Sequence, residues 1–212
     1  MTLIRFGCRR DGAKGFAAAL LMGLALVCWV SVVRADPARV LQAVVAFQRG
    51  DFATAARLYG EELRDHEKAL GEQHPASLAM RGLLIRAYSA QGRLDDALAQ
   101  AEKQQRIRTE LHGERHVETL SAMGQVAQLL GGLGRLREEL ALNEKFYRVS
   151  LDLAGERHPV TQQAMTGLAA SLRMMGRATE SVPLAEKVYA LRREQHGERH
   201  PLTLVSMNQL AL

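Results

Sequence analysis

The chain has 212 residues, a formal charge of +5 and two cysteines. Five of its 28 basic residues, one of its 23 acidic residues and both cysteines, Cys8 and Cys28, lie in the first 35 positions, which leaves the remainder at 23 basic against 22 acidic and without a thiol. That remainder has no electrostatic basis for binding nucleic acid, and disulfide stapling, thiolate catalysis and cysteine metal ligation are excluded for it.

The first element is an N-terminal targeting segment. Arg5, Arg9, Arg10 and Lys14 precede an uncharged run over 15–33, closed by Val33-Arg34-Ala35 ahead of Asp36 and Pro37. A basic start, an apolar middle and small residues at −3 and −1 predict a secretory signal peptide over 1–35, cleaved after Ala35. The run of 19 uncharged residues is also just long enough to span a bilayer, so an uncleaved N-terminal anchor is the alternative. Either reading exports the rest of the chain, because the basic end stays inside. Periplasmic or secreted residence is expected, or an inner-membrane anchor facing the periplasm, with membrane contact only through this segment.

The rest of the chain repeats. Gly71-Glu-Gln-His74, Gly113-Glu-Arg-His116, Gly155-Glu-Arg-His158 and Gly197-Glu-Arg-His200 begin 42 residues apart, and Gly50, Gly92, Gly134 and Gly176 keep the same step. Two breaks per period with apolar-patterned stretches between them predict a pair of helices stacked again and again.

In chain order the expected helices cover 37–49 and 52–70 as a degenerate leading pair, then 75–91 with 94–111, 117–133 with 136–153, and 159–175 with 178–195, and a ninth starts at Pro201. Within one period, Gly71 is expected to adopt a left-handed conformation that ends a helix. His74 sits at a cap position, and Pro75 takes the first helical position, where a missing N–H costs nothing. Leu78, Leu84, Ile85 and Tyr88 form the first apolar stripe; Leu94, Ala97, Leu98, Ala101 and Ile107 form the second. Asp95 and Asp96 place negative charge at the positive end of the second helix.

Matching slots recur. One holds Ser77, Thr119, Thr161 and Thr203; the next holds Leu78, Leu120, Gln162 and Leu204; another holds Met123, Met165 and Met207. The methionine series predicts core filling. Tyr147 and Tyr189 are expected to point inward. A Glu-Lys pair recurs at Glu102-Lys103, Glu144-Lys145 and Glu186-Lys187, and the carboxylates, spread by the repeat, are expected on a solvated face with i,i+4 pairing.

The string from Gly197-Glu-Arg-His-Pro to Leu212, together with Gly92-Arg93, Gly134-Arg135, Gly176-Arg177 and Pro183, resembles the 42-residue tetratricopeptide repeat of the kinesin light chain type. The resemblance covers the chain after residue 36. It implies an all-α, right-handed superhelical solenoid of antiparallel helix pairs. It also implies peptide or protein binding in a concave groove lined mainly by first helices. On that surface Arg86, Gln125, Gln128, Gln163, Arg173 and Asn208 are the candidate contacts.

Departures from the family pattern carry expectations of their own. The asparagine pair that such repeats often use to hold a peptide backbone is matched only at Asn208, followed by Gln209. Gly82-Leu83, Gly124-Gln125 and Thr166-Gly167 stand there in the other copies, and such small residues are expected to widen or flatten the groove. Gly131 and Gly132, each costing about 1 kcal/mol relative to alanine inside a helix, predict fraying or a hinge over 128–134. Amide exchange slower there than over 84–91 would refute this. Leu204, Leu210 and Leu212 lie on a last helix without a second helix to cover them, so the array is expected to be truncated, covered by another element, or self-associated through this end.

No catalytic constellation stands out: no Gly-x-Ser-x-Gly, P-loop or dinucleotide fingerprint occurs. His112 with His116 and His196 with His200 are four apart, but each pair straddles a glycine, so the rings need not share a face. The four phrase histidines are one repeat apart, too far to converge on one ion. No metal site, cofactor or enzymatic activity is expected. The function expected is an exported protein–protein interaction scaffold for a protein or peptide partner, with no nucleic acid involved. The alternative is a structural subunit of a cell-envelope assembly anchored by its N-terminus.

Overall fold

The computed structural model describes residues 37–210; the expected signal peptide, its cleavage site and Leu212 lie outside the described residues. Among the described residues there are nine helices and no strand: α1 (Pro37–Gln48), α2 (Phe52–Leu70), α3 (Pro75–Ala90), α4 (Leu94–His112), α5 (Val117–Gly132), α6 (Leu136–Ala154), α7 (Pro159–Met174), α8 (Ala178–His196) and α9 (Pro201–Leu210). Each packs on its neighbours in sequence, so odd helices form one layer and even helices the other. The expected boundaries hold to within one residue.

Two kinds of glycine turn separate the helices, and they differ physically. Gly92, Gly134 and Gly176 have φ of 75°, 72° and 75°. At each, the glycine N–H reaches back three residues and the following arginine N–H reaches back five, as from Gly92 to Ser89 and from Arg93 to Tyr88. That double bond is the Schellman closure, which needs positive φ. Gly71 also has positive φ, 92°, but its ψ is 161°. This is the extended, glycine-only region and not the left-handed helical one expected from sequence. The chain must leave α2 extended to reach the cap of α3.

That cap is the histidine. His74, His116, His158 and His200 each accept the N–H two residues on through Nδ1, at 3.2, 3.3, 3.2 and 3.2 Å. One of the four free N–H groups at each helix start is thereby satisfied. Asp51 caps α2 in the same way, by accepting the Thr54 N–H, but α4, α6 and α8 start differently. Arg93, Arg135 and Arg177 occupy the cap position without a side-chain cap bond. Their guanidinium groups instead clasp Asp96, Glu138 and Glu180 three residues on.

An i,i+4 pair forms between Arg57 and Glu61, but the recurring lysines pair over a longer range. Lys103, Lys145 and Lys187 do not pair at i,i+4; they reach back 31 residues to Glu72, Glu114 and Glu156 of the phrase that opens their own repeat. The pairing ties the second helix of each hairpin to the turn before its first.

Three buried clusters form one seam. Ala43, Ala55, Tyr59, Met80 and Leu84 fill the first, Ile85, Ala97, Leu98, Val126 and Leu129 the second, and Leu120, Met123, Phe146, Val160 and Ala164 the third. The Ser/Thr slot is buried in all four copies; Thr119 and Thr161 donate to the Arg108 and Ser150 carbonyls of the preceding even helix. Met123 and Met165 are buried core residues as expected. Tyr147 and Tyr189 are only half-buried, because the fully inward slot lies one residue earlier, at Phe146 and Val188. α5 runs through Gly131 to Gly132 with its last turn complete, and Leu129 and Leu130 are buried.

Candidate binding groove

The odd helices line a row of concavities in which each shares residues with the next. The first holds Val44, Phe47, Tyr59, Leu83 and Arg86. The second takes in Phe47 and Arg86 again, with Ser89, Gln125, Gln128 and Gly132. Gln128 continues into the third with Gln163, Thr166, Glu139, Asn143 and Phe146. Thr166 then leads into the fourth with Ala170, Arg173, Ser181, Val188 and Gln209. A continuous groove results, because α1, α3, α5, α7 and α9 stand side by side with their exposed faces aligned.

Five of the six residues picked from sequence line this groove. Arg86, Gln125 and Gln128 meet in the second concavity, Gln128 and Gln163 in the third, and Arg173 lies in the fourth. Asn208 is exposed on α9 but lines none of the four; its neighbour Gln209 does. The Arg86 guanidinium lies 5.6 Å from the centre of the Phe47 ring, a cation–π contact that holds it over the first two concavities. Beside it, burial pushes the Tyr59 phenol above its usual range, against the opposing pull of Arg86.

Sequence reasoning missed the groove floor. Glu139, Asn143 and Phe146 come from α6, a second helix, and share one of its faces. They reach the groove because a glycine stands opposite each. A Cβ on Gly131 would sit 2.8 Å from the Glu139 carboxyl carbon, one on Gly167 2.9 Å from Asn143 Oδ1, and one on Gly124 2.8 Å from Phe146 Cε1. The small residues therefore neither widen nor flatten the groove here. They admit side chains from the layer beneath, and α5 and α7 approach each other within 8 Å between Cα atoms, more closely than any other pair of odd helices. The signal lay in the slots. Positions one period from Glu139 hold Ala55, Ala97 and Ser181, and positions one period from Gly131 hold Phe47, Ser89 and Arg173. Only in this copy does a large residue at the first position meet a glycine at the second.

Asn143 donates to Ser171 Oγ at 2.8 Å, and Ser171 Oγ donates to Glu139 Oε1 at 2.9 Å. Glu139 Oε2 is buried and has no hydrogen-bond partner. Towards the end of the groove, burial pulls the Arg192 guanidinium below its usual range. Its hydrogen bonds go to Ser206 Oγ at 2.8 Å, Leu202 O and Thr166 Oγ1, so it seats α9 against α7 and α8.

The histidine pairs come together after all. The rings of His112 and His116 stack at 4.5 Å, as do those of His196 and His200. The turn between them folds the two rings face to face, yet Nδ1 of His116 and His200 is already committed to a helix cap. No group of three or more His, Cys, Asp or Glu side chains among the described residues is placed to hold one ion. No helix among them is long and apolar enough to cross a membrane.

Models of the tetratricopeptide repeat match residues 43–76, 77–152 and 160–212. The chain belongs to the tetratricopeptide repeat family. Among solved structures it is similar to a putative kinesin light chain from Podosopora anserina with nearly identical tetratricopeptide-like repeats, at 25% identity and a TM-score of 0.67, covering 82% of each chain. It is also similar to BtubC (BKLC) from P. vanneervenii, at 19% identity and a TM-score of 0.69, covering 94% of this chain and 82% of that one. No curated protein matches. These tetratricopeptide hairpins form the right-handed superhelical solenoid that the resemblance implied, the architecture of an interaction scaffold.

Proposed function

We propose that this chain is an exported scaffold that binds a peptide or protein partner along its concave groove. The observation that carries the reading is the continuity of that groove: four concavities joined by shared residues, with polar side chains turned outward along them. Arg86, Gln125, Gln128, Gln163 and Arg173 are the proposed contacts, with Gln209 taking the place next to Asn208. The role is that of a surface, and no catalytic residue, metal or cofactor is assigned.

A photo-crosslinking residue at Gln128 in the full chain should capture a partner from the envelope fraction. The same residue at Arg137, exposed on α6 and outside the groove, should not. Equal capture at both positions would remove the groove from the reading. Export rests on the sequence pattern of 1–35 and is tested by the mature N-terminus. A mass starting at Asp36 supports cleavage, and a chain retaining Met1 in the membrane fraction supports the anchor.

A second reading is favoured by one observation. Leu204 and Met207 occupy slots that are buried at Leu120 and Met123, yet they are 43% and 47% exposed. Together with Leu202 and Val205 they leave α9 with an uncovered apolar face. We infer that this end self-associates or docks on another element of an envelope assembly. Sedimentation velocity should show a species heavier than monomer that Leu204→Glu and Met207→Glu dissociate. A strict monomer at high concentration would end this reading.

A further inference from the structure

We propose that the third concavity, between α5, α6 and α7, is a seat for one cationic side chain of the partner, a lysine or arginine, with the Glu139 carboxylate as its counter-ion. The inference rests on the groove reading above and names the chemistry of one position along it.

Glu139 is only 8% exposed. A carboxylate so far from water needs either a cation or a full set of hydrogen bonds. It has one bond, from the neutral hydroxyl of Ser171, and among the described residues no basic side chain pairs with it. Oε2 is left over. If Glu139 served only to join α6 to α7 through Ser171, a single acceptor would suffice, and the small residues of the other copies show that the hairpin stacks without one. Instead the chain has removed the side chain at position 131, where a Cβ would stand 2.8 Å from the carboxyl carbon, and so makes room for the charge at the groove floor.

The surroundings select the occupant. The concavity measures about 290 Å³, at the lower limit of small-ligand pockets and fit for one long side chain. Gln128 and Gln163 on its rim and Thr166 in its wall carry oxygen acceptors for the remaining N–H groups of an ammonium or guanidinium. The Phe146 ring, buried beneath Gly124, keeps the floor beside the carboxylate dry, which strengthens any charge pairing made there. A divalent cation would require several oxygen ligands converging on it, and only one carboxylate is present. An anionic group would be repelled, and an apolar one would leave the charge unmet.

The test is an amide NMR titration of the full chain with butylguanidinium and butylammonium, with pentanol as neutral control and butyrate as anionic control. Both cations should give saturable shifts at Gly124, Gly131 and Gln163, and the controls should not. Glu139→Gln, which keeps shape and the Ser171 bond, should weaken the cations at least tenfold. Gln163→Glu, on the exposed rim, should tighten them and serves if Glu139→Gln fails to fold. Equal shifts with pentanol, unchanged affinity in Glu139→Gln, or shifts confined to other concavities would overturn the seat. Partner capture at Gln128 that is undiminished by Glu139→Gln would also overturn it while leaving the groove standing. Cation binding without any partner capture would support the seat while ending the groove reading.

Discussion

The repeat over 71–112 and the repeat over 113–154 obey the same rules and bury charge in opposite ways. The first buries Arg81, 1% exposed, in the slot that holds Met123 and Met165 elsewhere, and gives it a charged partner, with only Nε left unbonded. The guanidinium pairs with Glu67 and donates to Gln100 Oε1 at 2.6 Å. The second buries Glu139 and gives it a single neutral hydroxyl. A buried charge with its partner present holds a structure together; a buried charge without one is open to something from outside. On the proposed reading, the two copies divide structural and recognition work within one fold.

The largest effect expected from this contrast is at Arg81. Arg81→Ala empties a buried slot and removes the pair with Glu67, which keeps Lys103 at 3.7 Å, and should cost about 2–5 kcal/mol in denaturant unfolding, the usual loss for a large-to-small change in a core. Arg81→Met should recover part of it, because methionine already fills this slot twice. If Arg81→Ala is neutral, the charge in that copy is not structural and the contrast fails.

Next comes Gly131. Alanine in a helix is normally better than glycine by roughly 0.5–1 kcal/mol. Here the new Cβ meets the Glu139 carboxyl, so Gly131→Ala should instead destabilise by about 1–3 kcal/mol, as overpacking does. Adding Glu139→Ala should restore the loss. A stabilising Gly131→Ala would mean that the glycine makes no room for the carboxylate.

The caps should behave alike in every copy, which sharpens the comparison by supplying a control. His116→Ala and His158→Ala should each cost about 1 kcal/mol, and His→Asn at either place much less, because asparagine can accept the same N–H. Unequal losses would show that the copies differ in their ends as well as in their floors.

The smallest effect is in pH. Hydrogen bonds from Arg135 and Arg177 hold the Glu138 and Glu180 carboxyls below their ordinary range, and a bond from Lys103 does the same for Glu72. A carboxyl lowered on folding contributes stability that is present above its unfolded value and lost as pH falls through the folded one. Midpoints of unfolding should therefore drop as pH is lowered below the ordinary glutamate range. The drop should shrink in Glu138→Gln and with added salt, since these pairs are exposed. A midpoint that rises on acidification would contradict the pairing.

Much of the fold was legible, and the reason is local. The glycines with positive φ, the histidine caps and the prolines at first helical positions each answer a backbone requirement within a few residues. The groove lining was legible at Arg86, Gln125, Gln128, Gln163 and Arg173 because a helical face is set by a period of 3.6. Asn208 is exposed on α9 beside the fourth concavity, which its neighbour Gln209 lines. The Lys103–Glu72 pair was not legible, because the sequence does not show that a turn 31 residues earlier lies beside Lys103.

The 42-residue step by itself determined that this protein is a stack of helix pairs, where each helix begins and ends, and that the product is a surface. The tertiary structure alone decided what lies at the bottom of that surface. Glu139 meets Ser171 across 32 residues and passes through a gap left by Gly131. Such a meeting depends on the angle and distance between stacked hairpins, which many residues set together and no local rule encodes.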